Sequence, residues 1–300
     1  MPDSDSSGDP LVHFSTRALR ARDLRAVKRR WPNAPSRREL DDLAAGSWLL
    51  LEDDEPRGYA VLLPLPGLPR LFELQGDVNA NTCRHGGAVR LLQAVLDGLN
   101  ADEVDEVSYA VHSLQSDAAR FLLDHGFRLG HEEWQMLCDL PPAQPRAPLP
   151  DGYALRTLPR LQALALFLRL YEDSFSPTPW YQPYSRAEVT ADLVRTDDLL
   201  FLYHKDTPVG FVWMREHSRR AEGEIEPVGV ISAHQKKGAG RALLLEALWQ
   251  LSERGMRQAV LGVWRQNEGA IHLYQSAGFH REQRRYYLVY KTPSQDGAPR

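Results

Sequence analysis

The chain has 300 residues, of which 43% are hydrophobic and 25% are charged, and its formal net charge is −4. This composition is that of a globular protein, so it excludes a disordered or collagen-like chain, and the length predicts two domains. No apolar run approaches the ~20 residues that span a membrane, no clustered positive charge predicts nucleic-acid binding, and two cysteines are too few for a disulfide framework.

The first block of the sequence alternates strand-like and helix-like segments. Apolar alternation predicts strands over 13–19, 47–52, 57–63, 71–75, 105–111 and 132–138, and helical spacing predicts helices near 22–30, 37–44, 87–98 and 116–125. The first ten residues lack the basic start and apolar core of a secretory signal, so we expect a cytoplasmic protein. Both chain ends, about 1–10 and 292–300, are polar and are predicted to be loose.

A proline-rich segment separates the first block from a second block of similar size. Residues 140–152, LPPAQPRAPLPDG, contain five prolines. Proline disfavours both helix interiors and central strands, so this segment is predicted to be a semi-rigid linker. We therefore predict one domain over residues 11–139 and another over residues 153–291.

The second block has the same kind of alternation. Strands are predicted over 153–158, 199–204, 208–215, 223–231, 258–264 and 284–291, and helices over 161–173, 185–195, 240–254 and 268–277. Strands interleaved with single helices indicate the α/β class, with a mixed sheet flanked by helices in each domain.

Two motifs of the second block recur in the first. GAGRALLLEAL from Gly238 resembles GGAVRLLQAV from Gly86, and YQSAGF from Tyr274 resembles LLDHGF from Leu122. Pairing Gly240 with Gly87 gives a sequence offset of 153, and pairing Phe279 with Phe127 gives 152. This nearly constant offset predicts a duplicated fold.

The segment with the clearest chemistry is VGVISAHQKKGAGRA, from Val228 to Ala242. A strand ends, a short glycine-bearing loop follows, and a helix begins near Gly240. The first amides of a helix have no intrahelical partner, and the helix dipole favours an anion beside them. Lys236, Lys237 and Arg241 add positive charge at this point. The loop is therefore a candidate phosphate or pyrophosphate cradle, with an ordinary turn as the alternative.

Two sequence landmarks together indicate a family. Gln-x-x-Gly-x-Gly from Gln235 to Gly240, after the strand EIEPVGV, resembles the acetyl-CoA loop of the GNAT superfamily of N-acetyltransferases. NEGAIHLYQSAGF, residues 267–279, resembles the second landmark of that family. The resemblance is strong over 153–291 and weak over 11–139, a layout similar to tandem acetyltransferases of the mycothiol synthase type.

The resemblance implies that acetyl-CoA is the co-substrate and assigns residues to it. Main-chain N–H groups of the loop would hold the pyrophosphate, Val228 and Val230 would offer main-chain hydrogen bonds to the pantetheine arm, and Asn267 would contact the cofactor. Tyr274 would protonate the departing thiolate. Ser232 stands where many members have proline. The predicted loop residues are Gln235, Lys236, Lys237, Gly238, Ala239, Gly240 and Arg241.

Acyl transfer to an amine also needs a proton acceptor, because the resting amine is an ammonium ion. Glu224 lies where the family commonly places a base, so it is the predicted catalytic carboxylate. Glu226 has the same strand parity; it is a weaker candidate and is assigned to substrate binding. Two carboxylates in one cleft repel each other, which raises at least one pKa. The alternative is that both face solvent.

The first copy is predicted to be a degenerate scaffold. The offset of 153 pairs Glu224 with Leu71, Glu226 with Glu73, Gln235 with Thr82 and Gly238 with His85, and the offset of 152 pairs Tyr274 with Leu122. By this alignment the first copy lacks the base, the phenol and half of the cradle.

The acceptor is predicted to be a primary amine of a small molecule or a peptide. Trp180 and Tyr181 are candidates for its pocket, although packing between the two halves would explain these aromatics equally well. No metal site, nucleic acid or membrane is expected, and the chain is expected to be a monomeric pseudo-dimer or a homodimer. A non-catalytic acyl-CoA-binding or interaction module is the alternative function.

Overall fold

The computed structural model describes residues 13–37, 40, 46–65, 68–141 and 146–293, over which we number the elements. The strands are β1 (Phe14–Ala18), β2 (Ser47–Glu52), β3 (Glu55–Leu65), β4 (Leu68–Val78), β5 (Glu106–Val111), β6 (Arg128–Asp139), β7 (Tyr153–Arg156), β8 (Leu199–His204), β9 (Thr207–His217), β10 (Glu222–Val230), β11 (Gln258–Trp264) and β12 (His280–Lys291). The helices are α1 (Leu24–Arg30), α2 (Ala80–Arg84), α3 (Gly87–Asp97), α4 (Asp117–Asp124), α5 (Arg160–Phe175), α6 (Arg186–Asp192), α7 (Ala239–Glu253) and α8 (Glu268–Ser276).

These elements confirm the predicted α/β class with a mixed sheet. β2, β8 and β11 have the predicted bounds, whereas β6 and β12 each begin four residues before the predicted start. The extra residues, Arg128–His131 and His280–Gln283, are mostly polar, so no apolar alternation marks them. The short helix α2 was not predicted, and the helix predicted over 37–44 falls mostly on residues outside the described ones.

The first compact unit of the chain takes in the described residues up to 65, residues 69–109 and the chain from 289 onward. Its strands follow the order β1-β2-β3-β4-β5, with the end of β12 beside β5. β4 and β5 are parallel, and β1–β3 form antiparallel pairs. The core of this unit packs Leu49, Leu51 and Val61 of the sheet against Val27 of α1.

The second compact unit comprises residues 110–288 together with the short connection that ends at residue 68. Its strands follow the order β12-β6-β11-β10-β9-β8-β7, in which β10 and β11 are the parallel pair. The core has two parts: one forms around α7, and the other forms around α5 and α6. A sheet covered by helices on both faces leaves its strand ends as the places where a ligand can enter.

The second compact unit contains β6, the closing strand of the first sequence half, and the first unit contains the last residues of β12, the closing strand of the second half. β6, from the first half, pairs antiparallel with β11 over the whole length of β11, from Gln258↔Asp139 to Trp264↔Glu133. The end of β12, from the second half, lies beside β5. The compact units therefore assign residues 110–139 differently from the predicted domain bounds, 11–139 and 153–291, which remain a prediction about the repeat.

Several elements of the two copies are separated by one offset, which is the smaller of the two predicted offsets. The starts of β2 and β8, of α3 and α7, and of β6 and β12 are all separated by this same offset. Gly86 and Gly238, which precede α3 and α7, share the same left-handed φ of +83°. Glycine favours this conformation because it has no Cβ. Gly238 is thus the counterpart of Gly86, and the predicted pairings of Gly238 with His85 and of Gln235 with Thr82 are wrong by one residue.

The sheet register also corrects the counterpart of Glu224. Glu73 of β4 pairs with Ser108, and Glu224 of β10 pairs with Val260, which is the counterpart of Ser108 at the offset of the repeat. Glu73 therefore corresponds to Glu224 and not to Glu226, so the first copy keeps a carboxylate that we predicted it to lack.

The proline-rich segment packs on α7 through one ion pair. Arg146 donates two hydrogen bonds of 2.7 and 2.8 Å to Glu246, and its guanidinium lies 4.9 Å from the centre of the Trp249 ring. The Glu246 carboxylate is only 2% exposed and also accepts from Gln250 at 3.0 Å. A buried carboxylate needs such partners, so Arg146 fixes this segment on the helix.

Arg146→Ala should lower the free energy of unfolding by about 1–3 kcal/mol, because it leaves a buried carboxylate with Gln250 alone. Urea denaturation followed by tryptophan fluorescence measures the change. Arg120→Ala is the matched control: it removes a 2.6 Å ion pair with Asp117, whose side chain is 99% exposed. Exposed pairs contribute about 0–1 kcal/mol. Equal losses in the two variants would show that Arg146 does not fix the segment.

Candidate active site

The site begins where the two parallel strands of the second unit separate. The pairing of β10 with β11 ends at Glu224↔Val260, although β11 continues to Trp264. One residue further along β10 a bulge follows: Ile225 pairs with Met214 and Val228 with Val212 on β9. Two residues, Glu226 and Pro227, thus oppose one residue on β9. Bulges re-aim side chains and occur beside active sites.

A cavity of about 340 Å³ fills the space between the separated strands. Its wall combines carboxylates with aromatic rings and one guanidinium. The charged lining residues are Glu133, Glu224, Glu226, Asp192 and Arg215, and the aromatic ones are Tyr171, Phe175, Trp180, Tyr184, Trp264 and Tyr274. Four carboxylates against one guanidinium make the cavity favourable for a cation.

Glu226 has the environment of a group that titrates near neutral pH. Its side chain is exposed where it opens into the cavity, and the other lining residues surround it. This enclosure, with the charges of Glu133 and Glu224, raises the pKa of Glu226 to about 7. The Gly262 N–H and the charge of Arg215 oppose the shift, and Arg215 Nη1 donates to the Glu226 main-chain oxygen at 2.9 Å.

Glu224, the predicted base, lines the same cavity but has a partner already. Its Oε2 lies 3.0 Å from Nε2 of His217 on the neighbouring strand. A carboxylate in such a contact is less available to a substrate proton than one facing the open cavity. The role of Glu224 as base stays a prediction, and the geometry favours Glu226.

The second sequence landmark supplies Asn267 and Tyr274 to the cavity wall. The Asn267 side chain accepts from the Ala270 N–H at 3.2 Å and so caps α8, which fixes the start of that helix. Tyr274 lies two turns further along α8, with its ring 6.0 Å from that of Phe279. Burial, with the charge of Glu226, raises the pKa of Tyr274, so the phenol keeps its proton at neutral pH.

The glycine-bearing loop forms the start of α7, as predicted from its residues. No side chain caps this 15-residue helix, so its first amides remain available to an anion. The Gln235 side chain donates to the Val230 carbonyl at 2.9 Å, and Lys237 Nζ donates to the Ala233 carbonyl at 2.9 Å. Lys236, Gly238 and Arg241 are exposed, whereas Ala239 is buried and Gly240 is partly buried.

The main chain of Val228 and Val230 points toward the gap between the strands. Ile231 N–H bonds to Val209 of β9 at 3.0 Å, and alternate residues of a strand direct their polar groups to opposite sides. The polar groups of Val228 and Val230 therefore face away from β9. The bond from Gln235 to the Val230 carbonyl lies on that side. The uncapped amides of α7 and the nearby cations suit the pyrophosphate of CoA. The unpaired edge of β10 suits the amide-bearing arm of CoA.

The structure separates the two aromatic candidates for the acceptor pocket. Trp180 lines the cavity, with its ring 6.4 Å from that of Trp264. Tyr181 is not among the lining residues, and its hydroxyl donates to Glu172. Sequence reasoning missed Glu133, Arg215 and Trp264. Trp264 lies two residues after Gly262, so strand alternation puts both residues on the same face of β11. No local motif in the sequence marks Glu133 as a residue of the site.

Two features of other protein classes are absent from the described residues. No group of three or more His, Cys, Asp or Glu side chains in the described part of the chain could hold a metal ion. None of the helices within the described ranges is long and apolar enough to cross a membrane.

Comparison with known proteins agrees with the geometry. Residues 164–279 match the model of the acetyltransferase (GNAT) family. Mycothiol acetyltransferases from Thermobispora bispora and Nocardia farcinica are each 31% identical to the chain; the alignments cover 78% and 80% of this chain and 79% and 81% of the relatives.

Solved structures show the same fold. A GCN5-related N-acetyltransferase from Sphaerobacter thermophilus superposes with a TM-score of 0.73 at 22% identity, covering 94% of this chain and 96% of that one. A tandem GNAT protein from the clavulanic acid pathway gives 0.68 at 16% identity, covering 95% and 100%. The chain therefore belongs to the GNAT family, in its tandem form, and is an N-acetyltransferase that moves an acetyl group from acetyl-CoA to an amine.

Proposed function

We propose that the chain acetylates the primary amine of a small, cationic molecule in the cavity between β10 and β11. The observation that carries this proposal is the placement of Glu226, with a pKa of about 7, and Tyr274 on the wall of one cavity that Val228 also lines. A volume of about 340 Å³ suits a small molecule or the end of a longer one.

Acetyl-CoA would enter along the open edge of β10. Exposed amides at the start of α7 would bind its pyrophosphate, with Lys236 and Arg241 adding charge. Val228 and Val230 would hydrogen-bond the amides of the pantetheine arm as an added strand does. The Val230 carbonyl has a second lone pair, so it accepts this bond while Gln235 remains bound. This arrangement directs the thioester toward Tyr274.

Glu226 would take the first proton. The acceptor enters as an ammonium ion, and the Glu226 carboxylate accepts one proton from it, leaving the neutral amine. Catalysis by a base is most efficient when its pKa lies near the working pH, which suits a value of about 7. Glu226 then releases this proton to solvent.

Tyr274 would handle the second proton. A carbon–nitrogen bond forms at the thioester carbonyl, and the carbon–sulfur bond breaks. Tyr274 donates its phenolic proton to the departing sulfur and takes the second proton from the acceptor nitrogen, so it ends neutral. Its raised pKa favours this exchange over a standing phenolate. The products are the acetamide, CoA and one proton released through Glu226.

The first acceptor to test is the deacetylated form of mycothiol, because the mycothiol acetyltransferases align with both sequence halves. Thiol release from acetyl-CoA should be measured with this compound, glucosamine, spermidine and a peptide with a free N-terminus. Amine-dependent release with at least one small amine supports the proposal. CoA binding without release in any assay would favour the alternative, a non-catalytic acyl-CoA-binding module.

Gly240→Trp should weaken CoA binding at least ~100-fold, because a bulky side chain in the first turn of α7 blocks the approach of the pyrophosphate. Isothermal calorimetry with CoA measures the affinity. Ala88→Trp is the matched control, since Ala88 holds the equivalent position of α3 in the repeat. Retained affinity in folded Gly240→Trp would show that CoA binds elsewhere, and weakened affinity in Ala88→Trp would place CoA in the first unit.

A further inference from the structure

Glu133 belongs to the first half of the sequence but lies in the wall of the cavity in the second unit. The ladder between β6 and β11 puts it there, because Glu133 pairs with Trp264 and Gln135 with Gly262. The same ladder places Glu133 beside the end of β11, beyond Val260, where the parallel pairing of β11 with β10 has already ended.

Glu133 and Glu226 share one space above Gly262. A Cβ built on Gly262 would lie 3.9 Å from Oε2 of Glu133 and 3.6 Å from Oε2 of Glu226. Both oxygens therefore lie within ordinary contact distance of the same point. The missing Cβ leaves room between the carboxylates for a ligand atom.

An aromatic stack holds the Glu133 carboxylate in place. Tyr287 donates its hydroxyl proton to Oε2 at 3.1 Å, and Nε2 of His131 lies 3.7 Å from Oε1. The His131 ring stacks between Trp264 and Tyr287, with centroid distances of 4.4 and 4.2 Å. Because these rings fix its position, Glu133 presents a fixed negative charge to the cavity.

We propose that Glu133 determines acceptor specificity by binding the acceptor's ammonium group together with Glu226, so that the first half of the sequence completes the acceptor site. This inference rests on the proposed function and adds the cation-binding residue to it. In this arrangement Glu133 binds the ammonium group, while Glu226 takes the proton. A neutral alcohol of the same shape can donate one hydrogen bond but gains no charge attraction from the two carboxylates, so the pair selects amines.

Glu133 also acts on the titration of Glu226. The charges that face Glu226 come from all the surrounding elements, and Glu133 is the largest contributor among them after burial. The others are Glu224 on β10 and Arg215 on β9, with the phenols Tyr171, Tyr184 and Tyr274 close by. Removing the Glu133 charge removes a repulsion between two carboxylates, so the pKa of Glu226 should fall.

Glu133→Gln tests the proposal with every panel amine that the wild-type chain acetylates. The KM for the amine should rise about 10- to 100-fold, the range of a lost charged hydrogen bond, while the KM for acetyl-CoA stays constant. The rising limb of kcat/KM against pH should move to lower pH. A purely structural role for Glu133 would not move this limb.

Glu132→Gln is the matched control. Glu132 is the neighbouring residue, points to the other face of β6, and pairs with Arg265 at 3.6 Å and Arg284 at 3.5 Å. Glu132→Gln should therefore leave unchanged both the KM for the amine and the rising limb of kcat/KM against pH. Gly262→Ala is the second variant: its Cβ makes ordinary contacts with the protein but occupies the space between the carboxylates, so the amine KM should rise without loss of folding.

A ligand-free measurement separates this inference from the proposed function. Carbon-13 NMR of glutamate-labelled chain, with Glu226 assigned by Glu226→Gln, should show a lower Glu226 pKa in Glu133→Gln. If the wild-type chain acetylates amines but Glu133→Gln keeps the amine KM and the pH limb, the specificity role is wrong. If no panel amine is acetylated, the proposed function fails. If the pKa of Glu226 is also unchanged in Glu133→Gln, the effect of Glu133 on the titration of Glu226 is wrong as well.

Discussion

Glu226→Gln should lower kcat/KM for the acceptor amine by about 10²- to 10⁴-fold, the usual contribution of a positioned base. The wild-type kcat/KM should rise with pH through about 7, because Glu226 acts only when its carboxyl is deprotonated. In the variant this limb should disappear, since glutamine does not titrate. Thiol release measured across pH 5–9 tests both expectations, and calorimetry should show unchanged CoA affinity.

Glu224→Gln is the comparison that assigns the base. It lies two residues away on the same strand and lines the same cavity, but it is bound to His217. We expect a smaller loss of kcat/KM and a retained pH limb. The opposite ranking, with the limb lost in Glu224→Gln and kept in Glu226→Gln, would return the role of base to Glu224.

Tyr274→Phe should lower kcat by about 10²-fold while the affinity for CoA is unchanged. In the proposed function the phenol donates its proton to the departing sulfur, and a positioned acid typically contributes about 10²- to 10⁴-fold. The variant keeps the ring that packs against Phe279, so folding should be preserved. Turnover is measured at saturating amine and acetyl-CoA, so that changes in binding do not enter.

Tyr59→Phe is the control for this substitution. Tyr59 is a buried tyrosine of β3 in the first unit, where its ring packs edge-on against Trp31 at 5.6 Å. Loss of its hydroxyl should not change kcat. Full turnover in Tyr274→Phe would remove the phenol from the mechanism and leave the sulfur proton to a water molecule.

Local patterns in the sequence predicted most of the secondary structure and the loop of the site. β11 has the predicted bounds because its apolar residues lie between two turns, and α7 begins within a residue of the predicted start because Gly238 stops the preceding segment. The loop 235–241 and the landmark at 267–279 are local features. They depend on consecutive residues, so they can be recognised without knowledge of the fold.

The unpredicted parts of the site depend on long-range pairing. The bulge after Ile225 adds one residue to β10 without a change in composition, so only the register with β9 shows it. Glu224 lies before this added residue, and the loop 235–241 lies after it. The sequence offset between Glu224 and Glu73 is therefore one smaller than the offset between the two loops. Glu133 reaches the cavity because β6 pairs with β11, a strand far later in the chain. No local motif reports such a partner.

The second unit contains β6 from the first half and the first unit contains the end of β12 from the second half, so a cut at the proline-rich segment separates strands that are neighbours in the sheet. A fragment starting at residue 146 would expose the edge of β11 that β6 covers and would lack Glu133. An unpaired edge of seven residues invites aggregation. Two co-expressed fragments, each supplying the strand that the other lacks, would instead behave as a split enzyme whose activity reports their reassembly.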